Sequence, residues 1–393
     1  MKLAVIGFGN AGGKIADRLV EFDAEGQPLC RFTTVFNTAQ VDLARLERVP
    51  EEYRVLIGQT DERSKGHGVG ADPDLGAEVT EADMPEIQRA LDEIPIYDVD
   101  AFLIVAGFGG GTGSGGAPIL AEELQRTYGE PVYGLGILPS EDEGGRAALN
   151  AARSLPSFTR ATDGLLLFDN DAWRTGTDSM AEGYARANRE IARRVTTLLS
   201  AGERDGSQIA ENAMDASDIR RTLATGGVST VAYAETDLEP ETRRGRGFLE
   251  RIRSNGSSKA EDGVDPATKI HGLVRRAVRS RLTCPADITA AERGLVVVSG
   301  PPEEFSQKGL DRARQWLQEE IESVEVLAGD DPAPTADSLS AAVLLANVTS
   351  VPRIDALKED AVAARNNIEA QADRREDAVE DLVTDDNDVL DPV

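Results

Sequence analysis

Two glycine-rich stretches carry the strongest chemical signal in the sequence. The first, Gly7-Phe8-Gly9-Asn10-Ala11-Gly12-Gly13, follows an apolar run and leads into helical sequence. It satisfies G-x-G-x-x-G, a pattern in which backbone N–H groups and a helix N-terminus face a phosphate. The second, residues 107–116 (GFGGGTGSGG), places seven glycines in ten positions between another apolar run and a helix. That density costs conformational entropy for which a plain turn has no use. It lets the backbone pass close to a polyphosphate, with the hydroxyls of Thr112 and Ser114 as further donors. A flexible linker is the bland reading, and it fits poorly between a strand and a helix.

Neighbouring residues narrow the ligand. A dinucleotide site needs an acid about 20 residues after the first loop, at the end of the second strand, to hold a ribose. Asn37-Thr38 stand there instead. A nicotinamide-dependent oxidoreductase is thereby weakened, and it stays as the alternative from a different class. A Walker loop is absent, because Gly13-Lys14 is followed by Ile15 and the glycine due five residues before Gly13 is Phe8. Asn170, just past an apolar run, and Asn188, on a long helical stretch, each offer donor and acceptor together, which suits a guanine edge. Tyr184 lies one turn before Asn188 on the same face, where its ring can stack on a base. On the residues alone, Tyr184 as core and Asn188 as a surface polar group is the simpler reading. Asp215 and Asp218 stand three apart at a helix start and can project from one face beside the positive N-terminal dipole. Helix capping by Asp215 or Ser217 explains the pair equally well without any function.

The elements that must position these residues follow from apolar periodicity. Residues 2–7, 32–36, 101–106, 132–138 and 164–168 read as buried strands separated mostly by helices, which implies a parallel sheet covered on both faces. Residues 178–201 read as one long helix, with Met180, Tyr184, Ala187, Ile191, Val195 and Leu198 at three- and four-residue spacing. Further strands fall near 230–234, 295–298, 324–327 and 341–348, with helices near 266–281 and 308–321, the pattern of a smaller α+β unit. Residues 240–264 read as a long, locally basic surface loop, and 355–393 as a charged helix fading into an acidic tail.

Composition excludes several classes. A chain of 393 residues exceeds one ordinary core, so two packed domains are expected. A net charge of −28 repels nucleic acid and anionic lipid as bulk partners. Seven Lys against 35 Arg, in so acidic a chain, points to a salt-rich cytoplasm. Two Cys and two His exclude disulfide frameworks and multi-histidine mechanisms, and fit a reducing cytosol. No apolar run approaches the roughly 18–20 residues of a membrane span, and the start of the chain does not resemble a signal peptide.

With these residues in view, GFGGGTGSGGAP resembles the tubulin signature G-G-G-T-G-[ST]-G, and the order of loops resembles the tubulin/FtsZ superfamily. Acidic composition and the opening GFGNAGGK resemble its haloarchaeal CetZ branch. The resemblance implies an α/β fold, in which a parallel-sheet GTP-binding domain (1–177) is joined by a central helix (178–205) to a smaller α+β, GTPase-activating domain (206–350). A charged C-terminal helix and acidic tail (351–393) follow. It further implies GTP/GDP and Mg²⁺ as bound groups, GTP hydrolysis dependent on polymerisation, head-to-tail filaments in the cytoplasm and a role in cell shape or motility. Self-association is the main partnership implied, with membrane-anchor or shape-determining proteins as further partners and no nucleic acid or membrane insertion.

Carried over by position, Gly9, Asn10, Ala11, Gly12, Gly13 and Lys14 resemble the first phosphate loop, with Asn10 near the β-phosphate and metal. Asn37 opens the second loop, and Gly70 and Ala71, within 66–73 (GHGVGADP), resemble the loop that senses the γ-phosphate. Gly109, Gly110, Gly111, Thr112, Gly113 and Ser114 resemble the fourth loop. In 139–146 (PSEDEGGR), Glu143 stands as ribose acceptor with Arg146 nearby, and Asp142 is the alternative acid. The resemblance assigns Asn170, Tyr184 and Asn188 to the base. It assigns Asp218, supported by Asp215, to polarising the attacking water in the neighbouring subunit's pocket, and no side chain as a direct metal ligand. The sequence departs from the FtsZ pattern in having ASDI for FADV, and an acidic C-terminus in place of a short apolar peptide. A division-type ring protein and a non-hydrolysing scaffold of the same fold are the alternatives within the family.

Overall fold

Ten strands form one continuous sheet in the computed structural model, which describes residues 1–26, 28–173, 179–203, 214–238 and 265–384. The expected basic loop at 240–264 and the acidic tail beyond 384 lie outside the described residues. In chain order the strands are β1 (Leu3–Phe8), β2 (Cys30–Asn37), β3 (Arg54–Leu56), β4 (Ala101–Gly107), β5 (Val132–Leu138) and β6 (Gly164–Asp169). Then come β7 (Val228–Asp237), β8 (Arg293–Gly300), β9 (Val326–Pro332) and β10 (Ser338–Ala346). Their spatial order is β3-β2-β1-β4-β5-β6-β7-β10-β8-β9. The first seven in this order run parallel, as continuous apolar runs require when both faces are covered.

β7 joins the halves. Its first residues pair in parallel with β6 (Leu165 with Val228, Leu166 with Ser229), while the strand as a whole pairs antiparallel with β10. Alternation along the strands sorts the core onto two faces. In β1, Ala4, Ile6 and Phe8 join one cluster, and Leu3 and Val5 the other. The same division holds in β8, where Val296 and Val298 oppose Leu295 and Val297. The central helix (Met180–Leu199) buries Ala187, Ile191, Val195 and Leu198 on the second face, beside Ile15, Ala16 and Leu19 of the first helix (Gly9–Ala24). None of the described helices is long and apolar enough to cross a membrane.

In β9, buried polar residues are the reason that strand and expectation differ. An apolar run ends at Leu327, yet the β9 ladder continues through Gly329, Asp330 and Asp331 beside β8. Asp331 is almost fully buried and accepts a 2.9 Å hydrogen bond from the Ser299 hydroxyl. The last helix (Pro352–Thr384) is anchored by Arg353, which pairs with Asp169 at 3.2 Å and donates to the Pro139 carbonyl at 2.9 Å. Burial pushes the Asp169 carboxyl up, and the guanidinium beside it pulls the other way.

The sheet order reverses between β1 and β4, since β2 and β3 lie to one side and β5 and β6 to the other. At such a switch point the loops after neighbouring strands diverge and leave a crevice at the carboxyl edge. The chain closes the sides of this crevice by packing backbone on backbone. A Cβ on Gly12 would lie 2.0 Å from the Val105 carbonyl oxygen of β4. Gly12→Ala therefore forces the first helix off the sheet, and is expected to lower stability by about 1–3 kcal/mol or more, read as a fall in the thermal unfolding midpoint.

Candidate functional site

The crevice at the switch point holds a cavity of about 350 Å³. It is lined by the ends of β1 (Phe8, then Gly9, Asn10 and Ala11) and β4 (Gly107, then Gly109 to Gly113), with Asn37 at the end of β2. Two helices start at its floor, Gly9–Ala24 and Thr112–Thr127. Neither has a side-chain hydrogen bond at its N-cap, and neither carries an acid in its first turn. Most helices satisfy their first N–H groups with such caps. Leaving two sets of donors and two positive dipole ends open at one cavity makes an anion site.

Side chains brace the loops around this floor. Thr38 and Thr112 hydroxyls meet at 2.7 Å, tying the segment after β2 to the second glycine loop. Asn150, buried on the helix Gly145–Arg160, donates from Nδ2 to the carbonyls of Ala71 (3.0 Å), Gly109 (3.1 Å) and Gly110 (3.3 Å). One amide thus clamps the third loop to the fourth. Glu143 is held by a capping turn in which Ser140 N donates to its Oε1 at 2.9 Å, and its side chain lines the cavity.

At the other end of the cavity, Asn170 opens a four-residue helix, Asn170–Trp173. Its Oδ1 is buried with no hydrogen-bond partner among the described residues. A buried acceptor left unpaired costs about 1–3 kcal/mol, so a donor entering the cavity at this point would be favoured. Trp173 stacks on Phe168, and the Arg194 guanidinium of the central helix lies 4.2 Å from its ring centroid. The central helix is thereby keyed to this end of the site.

Of the residues singled out from sequence, Gly9, Asn10, Ala11, Asn37, Gly70, Ala71, Gly109, Gly110, Gly111, Thr112, Gly113, Glu143 and Asn170 line the cavity together. Gly12 and Gly13 do not; they sit in close packing against Val105 and Val35. The Ser114 hydroxyl is turned inward, donating to the Phe108 carbonyl. Lys14, Arg146, Tyr184 and Asn188 stand outside the lining, with Tyr184 and Asn188 half-buried on the central helix. Thr38, in the second loop, and His67, within 66–73, line it as well; Asp42 does too and was not singled out, although the segment NTAQVD directly after a strand end was the available signal.

Asp215 and Asp218 lie elsewhere. They start the helix Ala216–Leu223, at the amino ends of β6 and β8: Leu223 packs against Gly164, and Arg293 donates to the Arg221 carbonyl. The cavity is at the carboxyl ends. The length of a six-residue strand, about 20 Å, separates the two sites. Asp215 is a true N-cap, accepting from the backbone N–H groups of Ser217 (2.8 Å) and Asp218 (3.0 Å). The Ser217 hydroxyl bonded to it holds its carboxyl below the usual range. Asp218 moves the opposite way, raised first by partial burial and then by the Asp215 charge. Asp218 in turn accepts from the Asp215 backbone N–H, so the two acids form a capping box at the start of this helix.

Comparison with known proteins agrees with this architecture. The family model for the tubulin/FtsZ GTPase domain matches residues 2–195, and that for the C-terminal domain of tubulin-like CetZ proteins matches 177–363. Tubulin-like protein CetZ1 of Haloferax volcanii is 51% identical over 374 residues, spanning 94% of this chain and 94% of that protein. CetZ of Pyrococcus abyssi is 32% identical over 357 residues, spanning 88% of this chain and 86% of that protein. The GDP-bound monomer of Haloferax volcanii CetZ1 superposes with a TM-score of 0.81 at 47% identity, covering 93% of this chain and 100% of that one. The GTPγS-bound protofilament of Haloferax volcanii CetZ2 gives a TM-score of 0.81 at 39% identity, covering 94% and 100%.

The Asn150 clamp can be tested without any ligand. Asn150→Ala leaves three loop carbonyls without their shared donor, and is expected to cost about 1–3 kcal/mol in unfolding free energy. Hydrogen exchange should show the 66–73 and 107–113 segments opening more often, with the β8–β10 amides unchanged.

Proposed function

Because the chain belongs to the tubulin-like CetZ proteins of the tubulin/FtsZ family, we propose that it is a GTP-binding, GTP-hydrolysing cytoskeletal protein whose hydrolysis depends on head-to-tail assembly. The observation that carries this reading is the division of the chemistry between two ends of one sheet. The cavity offers open N–H donors and polar groups suited to a nucleotide, and the Asp215–Asp218 pair stands about 20 Å away. Stacking one copy on the next in the same orientation sets the Asp218 end of one against the cavity of the other. Filament formation then completes the active site.

In this reading the open N–H groups of both glycine loops take the phosphates, Glu143 takes the ribose hydroxyls, and the unpaired Asn170 Oδ1 accepts from the N–H groups of guanine. Tyr184 and Asn188, on the helix beyond, stand outside the lining, and family likeness alone assigns them to the base. The residues also fit Mg²⁺. Among the described residues no cluster of His, Cys, Asp or Glu could hold a metal alone, as suits an ion that keeps mostly phosphate and water ligands. Asn10, Asp42 and Thr112 are the lining side chains placed to hold it, and when bound it neutralises phosphate charge. Asp218 of the adjoining copy accepts the proton of the attacking water, and Asp215 fixes the turn that presents it. The division into a GTPase unit, a central helix and an activating unit follows this allocation of roles. A function in cell shape or motility is the cellular reading, carried by likeness to the CetZ branch.

Two measurements test it. A Cβ on Gly110 meets nothing within 4 Å, so Gly110→Val is tolerated by the chain and fills the cavity instead. GTP binding should be lost in calorimetry while the unfolding midpoint without nucleotide stays unchanged; retained affinity would contradict the phosphate assignment. The second reads pH. Asp218 takes a proton at higher pH than an aspartate at the ordinary 3.8, and a base works only when deprotonated. Turnover should therefore fall as pH drops through that raised value. Asp218→Asn should lower turnover by about 10²-fold and flatten this limb, with GTP affinity intact.

A further inference from the structure

Asp218 and Arg221 stand three residues apart on one helix, acid first, a spacing that brings two side chains together on one face. Asp42 with Arg45, Glu123 with Arg126 and Asp311 with Arg314 have the same arrangement, and each of those pairs closes. Asp218 with Arg221 does not. Arg221 instead donates to Oε1 of Glu325 at 2.9 Å, and Asp218 makes no ion pair among the described residues.

Glu325 is firmly placed to hold that guanidinium. It stands one residue before β9, where its carbonyl accepts from the Gly294 N–H at 3.1 Å. Its own N–H donates to the Ser323 hydroxyl at 3.2 Å, and that hydroxyl donates to the Glu292 carbonyl at 2.5 Å. Arg293 of β8 pairs with the other oxygen of the Glu325 carboxylate and donates to the Arg221 carbonyl at 2.5 Å. One carboxylate thus takes two guanidiniums, and the second of them also grips the backbone of the first arginine. The Arg221 hydrogen bond, with the Arg293 charge behind it, holds the Glu325 carboxyl below its usual range.

Few charges act on Asp218. Burial raises its carboxyl most, and the Asp215 charge adds to that; the Asp215 N–H and the Arg221 charge pull it down. From neighbouring elements, Arg293 and Glu325 meet Arg221, while Asp163, just before β6, shares a groove with Arg220. Arg221 is therefore the cation that can alter Asp218, and Glu325 decides where it goes.

We infer that Glu325 is a positioning residue for hydrolysis: by holding Arg221, with Arg293 as buttress, it keeps the arginine from closing on Asp218 and leaves that carboxylate open to a water molecule. The inference rests on Asp218 being the proton acceptor proposed above, and adds what keeps it able to act. Without Glu325, Arg221 is free to close on Asp218 as the equivalent pairs do elsewhere in the chain. An arginine closed on an aspartate lowers its pKa, and a weaker base takes a proton less readily.

Turnover per polymerised chain tests this across pH, with GTP in excess and polymer measured by sedimentation. The full-length variants are Glu325→Ala, Arg221→Ala and the two combined, with Asp218→Asn as reference. Glu325→Ala should lower the plateau by about tenfold and move the acid limb to lower pH by about one unit. Arg221→Ala should keep the plateau within about twofold of wild type and move the limb the opposite way, since an exposed charge is lost. The combined variant should follow Arg221→Ala and so recover activity. GTP affinity should be the same in all four, because the cavity lies about 20 Å away, and this shows that each is folded. A network that merely clamps the helix would leave Arg221→Ala and the combined variant as impaired as Glu325→Ala, with the limb unmoved. That result, or a wild-type plateau and limb in Glu325→Ala, would overturn the inference while leaving Asp218 in its role. Full turnover in Asp218→Asn would instead remove that role and the inference with it.

Discussion

Two helices begin at one cavity with no side chain to cap them, and the rest of the molecule is arranged to keep them so. Uncapped N–H groups and unopposed dipole ends are unfavourable in an empty protein. They are held in place because the first helix is pressed so closely on β4 that only Gly12 fits against Val105, and because Asn150 and the Thr38–Thr112 pair lock the surrounding loops. The switch in strand order between β1 and β4 supplies the crevice, and the glycines supply backbone without side chains to fill it. Anionic oxygens bound at this floor would take the place of the missing caps.

The same sheet that builds the cavity keeps Asp215 and Asp218 away from it. β5 and β6 span from the Asp218 helix to the cavity rim, and no rearrangement short of unfolding brings the two together within one chain. β7 carries this separation into the second half, pairing with β6 at its start and with β10 along its length. The consequence is that the cavity and the Asp215–Asp218 pair can meet only between copies of the chain, as the proposed mechanism requires.

Legibility in the sequence tracked the range of the interactions involved. The glycine loops, the strands that precede them and the central helix are written in short, dense patterns, so the cavity lining from Gly9 to Ala11 and Gly109 to Gly113 could be named in advance. Asn150 could not, because a polar residue on an amphipathic helix looks the same whether it faces water or three loop carbonyls. β3 is three residues long and shows no apolar run, and β9 continues through two buried aspartates that apolar patterning reads as a loop. Ser114 was misread for a related reason: its type offers a donor, but only the fold shows that Phe108 already receives it. Family likeness placed Asp218 in catalysis, whereas residue pattern alone could not choose between base and cap; in the structure both acids take part in a capping box, Asp215 accepting from Ser217 and Asp218 and Asp218 accepting from the Asp215 N–H.

The measurement that reaches the central claim most directly is complementation between two defective chains. Asp218→Ala keeps an intact cavity and lacks the acid, and Gly110→Val keeps the acid and lacks the cavity. If the active site is assembled from two copies, GTP turnover should be negligible in either protein alone and should return on mixing, rising with total protein concentration. A mixture as inactive as its parts, together with wild-type turnover per chain that stays constant down to dilutions where only monomer sediments, would contradict a shared site.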